Sequence, residues 1–167
     1  DIDGASEALH RATKTTVARR SEALGVLSEI YKTRGQADEA SAALTQALLI
    51  SPDDAKHRFN RGMLDLEARR LEQAQEAFVS VLDVSPGYAP ALMNLGYIAK
   101  TGGDMAAAER WYLKVLEMDA ENTDGHVNLG HLYLTQERFI EAERHLSRAY
   151  AQKDDLLDIQ LGLLQAQ

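Results

Sequence analysis

Three asparagines recur at intervals of 34 residues and are the side chains in this sequence best suited to binding: Asn60, Asn94 and Asn128. A primary amide donates and accepts hydrogen bonds, so it can pair with the backbone N–H and C=O of an extended peptide. Gln160, which follows Asn128 by 32 residues, carries the same group. Repeated along an array, such amides can follow a peptide without reading its side chains.

Apolar and soft side chains flank each amide at helical spacing. Such residues, when exposed together, usually mark an interaction surface. Burial against neighbouring helices is the alternative, and we expect exposure chiefly for Phe59, Tyr97 and His131. The flanking residues are Phe59, Met63, Met93, Tyr97, Val127 and His131.

The remaining reactive residue types lack the spacing of a catalytic or metal site. The chain has no cysteine, so it has neither disulfides nor thiolate ligands. Its five histidines never form an i, i+4 pair around a glutamate, and no G-x-S-x-G or phosphate-binding loop occurs. Gly102-Gly103 is interpreted as a turn, and the histidines as surface or packing residues. We therefore predict no enzyme, no catalytic residue, no cofactor and no metal.

Charge and hydropathy exclude two further classes of partner. The net charge of -8 argues against nucleic acid, which requires a basic stripe. No apolar run approaches the roughly 20 residues that span a bilayer, and no signal peptide is visible. The chain starts at Asp1 without Met, so removal of a leader or a larger N-terminal portion stays open. We expect a soluble protein, and the choice between cytoplasm and periplasm is undecided.

The amides are positioned by an internal repeat. Small residues recur with the same period as the asparagines, and the composition favours helix. Gly35 suits a turn between two helices, and Pro52 suits the end of a second helix. We expect the repeated glycines to face the repeated alanines, with large residues beside them (Leu44, Phe78, Tyr112 and Leu146). The recurring small residues are Gly62, Gly96 and Gly130, and Ala40, Ala74, Ala108 and Ala142.

This 34-residue pattern resembles the tetratricopeptide repeat (TPR) family. The resemblance implies an all-α fold, an α-solenoid of helix-turn-helix repeats that forms a right-handed superhelix with the first helices on its concave side. Asparagine is common at the ladder position in this family, so a role in the repeat itself stays open. The predicted divisions are a partial repeat or cap at 1–20, four repeats at 21–54, 55–88, 89–122 and 123–156, and a further repeat or cap at 157–167.

Three places depart from the regular pattern. Residues 1–20 have the spacing of a second helix, which we expect over residues 4–18. Arg61 and Asp65 stand where other repeats carry mostly apolar or small residues, and we expect this pair to reach outward to water. Glu137 replaces the turn glycine of the fourth repeat. The pattern also predicts that the array continues beyond both ends of this sequence.

The resemblance implies a module that binds a protein or peptide partner, extended or helical, in its concave groove. The ladder is similar to that of TPR arrays of the O-linked N-acetylglucosamine transferase type. Two alternatives stay open: a structural scaffold or self-associating subunit of a bacterial pilus, secretion or polysaccharide-export type assembly, or the substrate-recruiting arm of a multidomain glycosyltransferase. A carboxylate clamp for chaperone C-termini is not expected, because its basic and asparagine positions hold Gly25, Glu29, Phe59, Met63, Pro90 and Asp124.

Overall fold

The computed structural model describes the backbone of residues 2–152 and 164–165, and the side chains of residues 16–152 and 164–165. Within this range the chain is all-α, as predicted, with eight helices and no strand. The helices are α1 Ile2–Thr33, α2 Ala37–Ile50, α3 Ala55–Glu67, α4 Leu71–Val84, α5 Ala89–Thr101, α6 Met105–Met118, α7 Thr123–Thr135 and α8 Phe139–Tyr150.

The helices form two compact units, Asp1–Pro86 with α1–α4 and Gly87–Gln167 with α5–α8. Each unit contains two helix pairs, α1 with α2 and α3 with α4 in the first, α5 with α6 and α7 with α8 in the second. Inside a unit the pairs stack, because α3 packs on α2 and α7 packs on α6. The predicted α-solenoid of helix-turn-helix repeats is therefore confirmed.

Local chemistry explains where several helices begin. Asp54 accepts a hydrogen bond from the backbone N–H of His57 at the start of α3, and Asp104 accepts one from Ala107 at the start of α6. Asn122 caps α7 in the same way. Each cap satisfies a backbone N–H that has no partner within its helix. The first helix of a repeat and the amide it carries are thus fixed in register.

The turn inside each helix pair uses a left-handed residue at the same position of every repeat. Gly35 and Gly103 have φ of 74° and 85°, which glycine adopts without cost. Arg69 and Glu137 occupy the equivalent positions with φ of 57° and 58°. A side chain there costs roughly 1–2 kcal/mol, so the second and fourth repeats carry strain that the first and third avoid.

The repeated glycines lie against large side chains. A Cβ atom added to Gly62 would come within 2.6 Å of Phe78 Cε1, and the nearest atoms to Gly96 and Gly130 belong to Tyr112 and Leu146. The expectation that alanines would face these glycines is therefore wrong. Absence of a side chain on the first helix leaves room for a large one on the second, which fills the crossing completely.

The repeated alanines contribute instead to the stacking of successive pairs. Ala108 and Tyr112 of α6 are buried in one cluster with Leu129 and Leu132 of α7. In the first unit, Ala40 and Leu44 of α2 pack in the same way with Leu64 of α3. A small and a large residue four apart on the second helix therefore form the seat for the next first helix.

The helix predicted over residues 4–18 does not end there, since α1 runs without interruption from Ile2 to Thr33. The reason is visible in residues 13–20, TKTTVARR, which contain no Pro, Gly, Asn or Asp. Every later junction between repeats contains at least one such residue, as in SPDD at 51–54. The division at residue 20 stays a prediction, as do the other repeat boundaries.

Asp65 corrects another expectation. Its side chain does not reach outward, and the residue is only 3% exposed. Arg70 donates from Nε at 3.0 Å and from Nη2 at 2.8 Å to Asp65 Oδ1, and Arg61 Nε donates to Oδ2 at 3.3 Å. Two guanidinium groups therefore compensate the buried carboxylate. Arg138, at the position equivalent to Arg70, is likewise held by acidic side chains, those of Glu109 and Glu141.

Candidate functional site

Each unit has one open depression between its two first helices, and together the two contain seven of the predicted groove residues. The N-terminal depression, about 340 Å³, is lined by Ser28, Glu29, Lys32, Thr33, Phe59, Asn60, Met63 and Leu64. The C-terminal depression, about 450 Å³, is lined by Ala89, Pro90, Met93, Asn94, Asn122, Asp124, Val127 and Asn128.

Asn94 and Asn128 have the same local geometry. Asn94 Nδ2 donates to the carbonyl oxygen of Pro90 at 2.8 Å, and Asn128 Nδ2 donates to that of Asp124 at 2.9 Å. These carbonyls accept only, so the amide nitrogen must face them and the orientation of both amides is fixed. Each amide keeps a second N–H and its Oδ1, for which no partner occurs among the described residues. A donor and an acceptor are thus presented twice along the C-terminal depression.

Asn60 differs from the other two amides. Its Nδ2 donates at 3.2 Å to Oε1 of Glu29, which lies on α1, so the bond crosses the N-terminal depression. Lys56 Nζ lies 3.6 Å from the same Glu29 oxygen, and Lys32 Nζ lies 2.7 Å from Glu67. The polar groups around the N-terminal depression are therefore largely paired with one another. A ligand would have to displace Glu29 before it could reach Asn60 Nδ2.

The C-terminal depression has an unbalanced charge. Asp124 is exposed at its rim, and none of the residues that line it is basic. Met93 and Val127 are half-buried and contribute the apolar part of the surface. A complementary ligand would be an extended chain with small or apolar side chains and a basic group near Asp124.

The other predicted groove residues lie elsewhere or are less accessible than expected. Tyr97 is 51% exposed but does not line the depression. His131 is half-buried. Phe59 is also half-buried, because its ring packs on Phe78 with centroids 5.5 Å apart. Gln160 lies outside the described residues.

The sequence analysis missed two features of the depressions and one of the interior. Glu29 and Asp124 were considered only as residues unsuited to a clamp, yet their positions in the repeat match those of Met63 and Lys56. That equivalence could have placed Glu29 beside Asn60. The interior feature is a pair of buried histidines, signalled only by His126 standing 34 residues after the buried Leu92.

The buried histidines, His126 and His145, form a hydrogen-bonded chain. His126 Nε2 is 3.0 Å from the carbonyl oxygen of Ala120 and must donate to it, which leaves Nδ1 as an acceptor. His145 Nδ1, at 2.9 Å, therefore donates to His126 Nδ1. The remaining nitrogen, His145 Nε2, faces Arg144 Nη2 at 3.4 Å. Burial, together with His126, Arg144 and Arg148, lowers the pKa of His145 to about 4.

A third buried histidine lies beside a serine and an aspartate but does not form a catalytic triad. Ser21 Oγ donates to the carbonyl oxygen of Ala47 at 3.1 Å and lies 3.0 Å from His57 Nε2. Asp54 Oδ2 approaches that same nitrogen, at 3.7 Å, whereas a triad requires the acid on the opposite ring nitrogen. Ser21 is also buried, so a substrate could not reach it. The arrangement holds α1, α2 and α3 together.

Two searches of the described residues gave negative results. No group of three or more His, Cys, Asp or Glu side chains there could hold a metal ion. None of the helices in that part of the chain is both long and apolar enough to cross a membrane.

Comparison with known families accounts for the repeat and for the positions of the depressions. Two family models, both described as tetratricopeptide repeat, match residues 21–54 and 59–123. The chain belongs to the TPR family. The TPR model over 59–123 includes Asn60 and Asn94, and the resemblance inferred from the 34-residue spacing is confirmed. A search of curated proteins finds no match.

Solved TPR structures share the fold. MamA has 16% identity and a TM-score of 0.77, over 88% of this chain and 80% of its own. PilF of Pseudomonas aeruginosa has 18% identity and a TM-score of 0.80, over 90% and 69%. PilW, described as a type IV pilus biogenesis factor, has 21% identity and a TM-score of 0.77, over 87% and 68%. At these identities the similarity extends to the fold.

Proposed function

We propose that this TPR chain is a non-catalytic interaction module that binds an extended peptide segment of a partner protein in the C-terminal depression. The observation that carries the proposal is the matched geometry of Asn94 and Asn128. Each amide is held by a carbonyl of its own helix and presents a second N–H and an Oδ1 toward the depression. Paired donors and acceptors of this kind suit the backbone of a peptide.

Binding through the backbone has a particular consequence for specificity. Partners would share an extended conformation more than a sequence, because the amides contact N–H and C=O groups that every peptide has. Met93 and Val127 would favour apolar side chains, and Asp124 would favour a basic one. The polar groups at the N-terminal depression are already paired, so Asn60 would contribute less.

A selected peptide tests the proposal. Extended dodecamers would be selected from a displayed random library against the wild-type chain, and their affinity measured by calorimetry. We expect the Asn94→Ala/Asn128→Ala variant to lose about 2 kcal/mol, roughly 30-fold, since each net hydrogen bond contributes about 1 kcal/mol. Adding Asn60→Ala should change little further.

The matched control is Arg110→Ala/Glu117→Ala, which removes two exposed charges of α6 that do not line the depression. This variant should bind as the wild type does. N-methylation of the peptide backbone should abolish binding more effectively than alanine substitution of its side chains. Equal affinity of the wild type and the Asn94→Ala/Asn128→Ala variant, with helicity unchanged, would refute the proposal.

A scaffold role is the second candidate, favoured by exposed apolar residues at the start of α8. Phe139 and Ile140 are adjacent there, and Ile140 is 83% exposed. Their replacement by glutamate should abolish self-association seen by light scattering if this surface joins subunits. A chain that stays monomeric at every concentration would count against it. The role of a recruiting arm in a glycosyltransferase stays a prediction from the sequence.

A further inference from the structure

One face of α1 is exposed although the equivalent face of every other first helix is largely buried. Ala23 is exposed, and Leu27 and Ile30 are 37% and 41% exposed. The residues 34 and 68 positions later include Leu64, Leu95 and Ile98, all of them buried. Arg61 is the one exception, and it pairs with Asp65.

The equivalent faces show what kind of element covers such a surface. Leu64 of α3 packs on Ala40 and Leu44 of α2, and Leu132 of α7 packs in one cluster with Ala108 and Tyr112 of α6. In both cases the covering element is a helix with a small residue and a large one four positions apart. The face of α1 therefore fits a helix that carries this same pattern.

The chain contains one more copy of the pattern, at the beginning of α1. Ala5, Leu9 and Ala12 have the spacing of Ala40, Leu44 and Ala47, displaced from the 34-residue register by one position. Because α1 is continuous from Ile2 to Thr33, this segment extends along the helix axis and cannot fold back onto Leu27 and Ile30 of its own helix. The surface and the segment that fits it are therefore on the same rod, in one chain.

Both requirements are met when two copies of α1 lie antiparallel. We propose that α1 pairs with the α1 helix of a second copy of this chain, so that residues 5–12 of each copy cover Ala23, Leu27 and Ile30 of the other. If Ala12 lies opposite Ala23, then Ala5 lies opposite Ile30, and both pairings place the two-fold axis between Val17 and Ala18. One axis satisfies both contacts, as a closed isologous dimer requires.

The periodicity along α1 supports this pairing. Leu9, Thr16, Ala23 and Ile30 are seven residues apart, the spacing that keeps one stripe of a helix facing a partner helix. Val17 is 50% exposed near the axis. The helix has 32 residues, about 48 Å at 1.5 Å per residue, so the contact would extend along its whole length. Arg19 and Arg20 lie near the axis, where their long side chains can reach water.

Two measurements on the full chain test the dimer. The first is sedimentation from micromolar to several hundred micromolar protein, at about 0.15 M salt to screen the arginines. Leu27→Glu places one carboxylate in each half of the interface and should weaken dimerisation roughly 100-fold or more. The matched control is Leu49→Glu on α2, where the leucine is 80% exposed, and it should dimerise like the wild type. Leu27 is partly exposed, so we expect Leu27→Glu to keep its helicity.

The second measurement distinguishes a second copy from a fold-back within one chain. The sequence has no cysteine, so Ala12→Cys/Ala23→Cys introduces the only thiols. Oxidation should give a covalent dimer, which supports the proposal. A monomer with an internal disulfide would show that the segment folds back on its own chain, and a monomer without a disulfide would show that the face is covered by something else or by nothing. Either monomer overturns the proposal, and neither affects the groove.

Discussion

The buried pair His126–His145 predicts that stability depends on pH in a specific way. The pKa of His145 is lowered to about 4, whereas an unfolded histidine titrates near 6.5. Between these values the unfolded chain binds a proton that the folded chain does not. Stability is therefore complete above about pH 7 and falls as the pH drops through 6.5 toward 4.

The magnitude follows from the difference between the two pKa values. A shift of about 2.5 units at 1.36 kcal/mol per unit corresponds to about 3 kcal/mol in total, of which about 2 kcal/mol is lost by pH 5. The cause is geometric. The two nitrogens of His145 face His126 and Arg144, so an added proton either breaks the Nδ1–Nδ1 hydrogen bond or meets a guanidinium group.

Urea unfolding of the wild type and of His145→Asn, followed by circular dichroism between about pH 8 and pH 5, provides the assay. The asparagine can still donate to His126 Nδ1 but does not titrate. Carboxylates titrate in both proteins, so their contribution cancels in the difference. The difference in unfolding free energy between the two proteins should shrink by about 2 kcal/mol from pH 8 to pH 5. A difference that stays constant with pH would refute the assigned hydrogen-bond chain.

Two further predictions concern packing and the turns. Ala108→Leu should cost about 1–3 kcal/mol because Ala108 is fully buried beside Leu129 and Leu132, and an unchanged melting temperature would contradict the stacking described here. Glu137→Gly should stabilise the chain by about 0.5–1 kcal/mol, because it relieves a left-handed residue at some cost in unfolded-state entropy. The same change at Glu143, exposed inside α8, should destabilise by about 1 kcal/mol, and an equal effect at both sites would contradict the assignment of strain.

Features that depend on the repeat were predictable from the sequence. The 34-residue period located the helix pairs, the turns at Gly35 and Gly103, and the first helices that carry the asparagines. The continuity of α1 was also within reach, because residues 13–20 lack any residue that ends a helix. The period alone suggested a break there, and local composition decided against it.

Features that depend on contacts between different elements were not predictable. The burial of Asp65 requires Arg70, which belongs to the following turn and was not considered as its partner. The pairing of His126 with His145 joins positions that are 19 residues apart and match no repeat spacing. Asn60 and Asn94 look equivalent in the sequence, yet Glu29 is present beside one and has no counterpart beside the other.

The hydrogen bonds from Asn94 and Asn128 to their own helices also affect the entropy of any association. A side chain that becomes immobile on binding typically costs about 0.5–1.5 kcal/mol. These two side chains are already immobile in the free protein, so roughly 1–3 kcal/mol is not lost when a ligand arrives. Rigid amides on a helix would let this surface hold chains of varied sequence at useful affinity, without any rearrangement of its own.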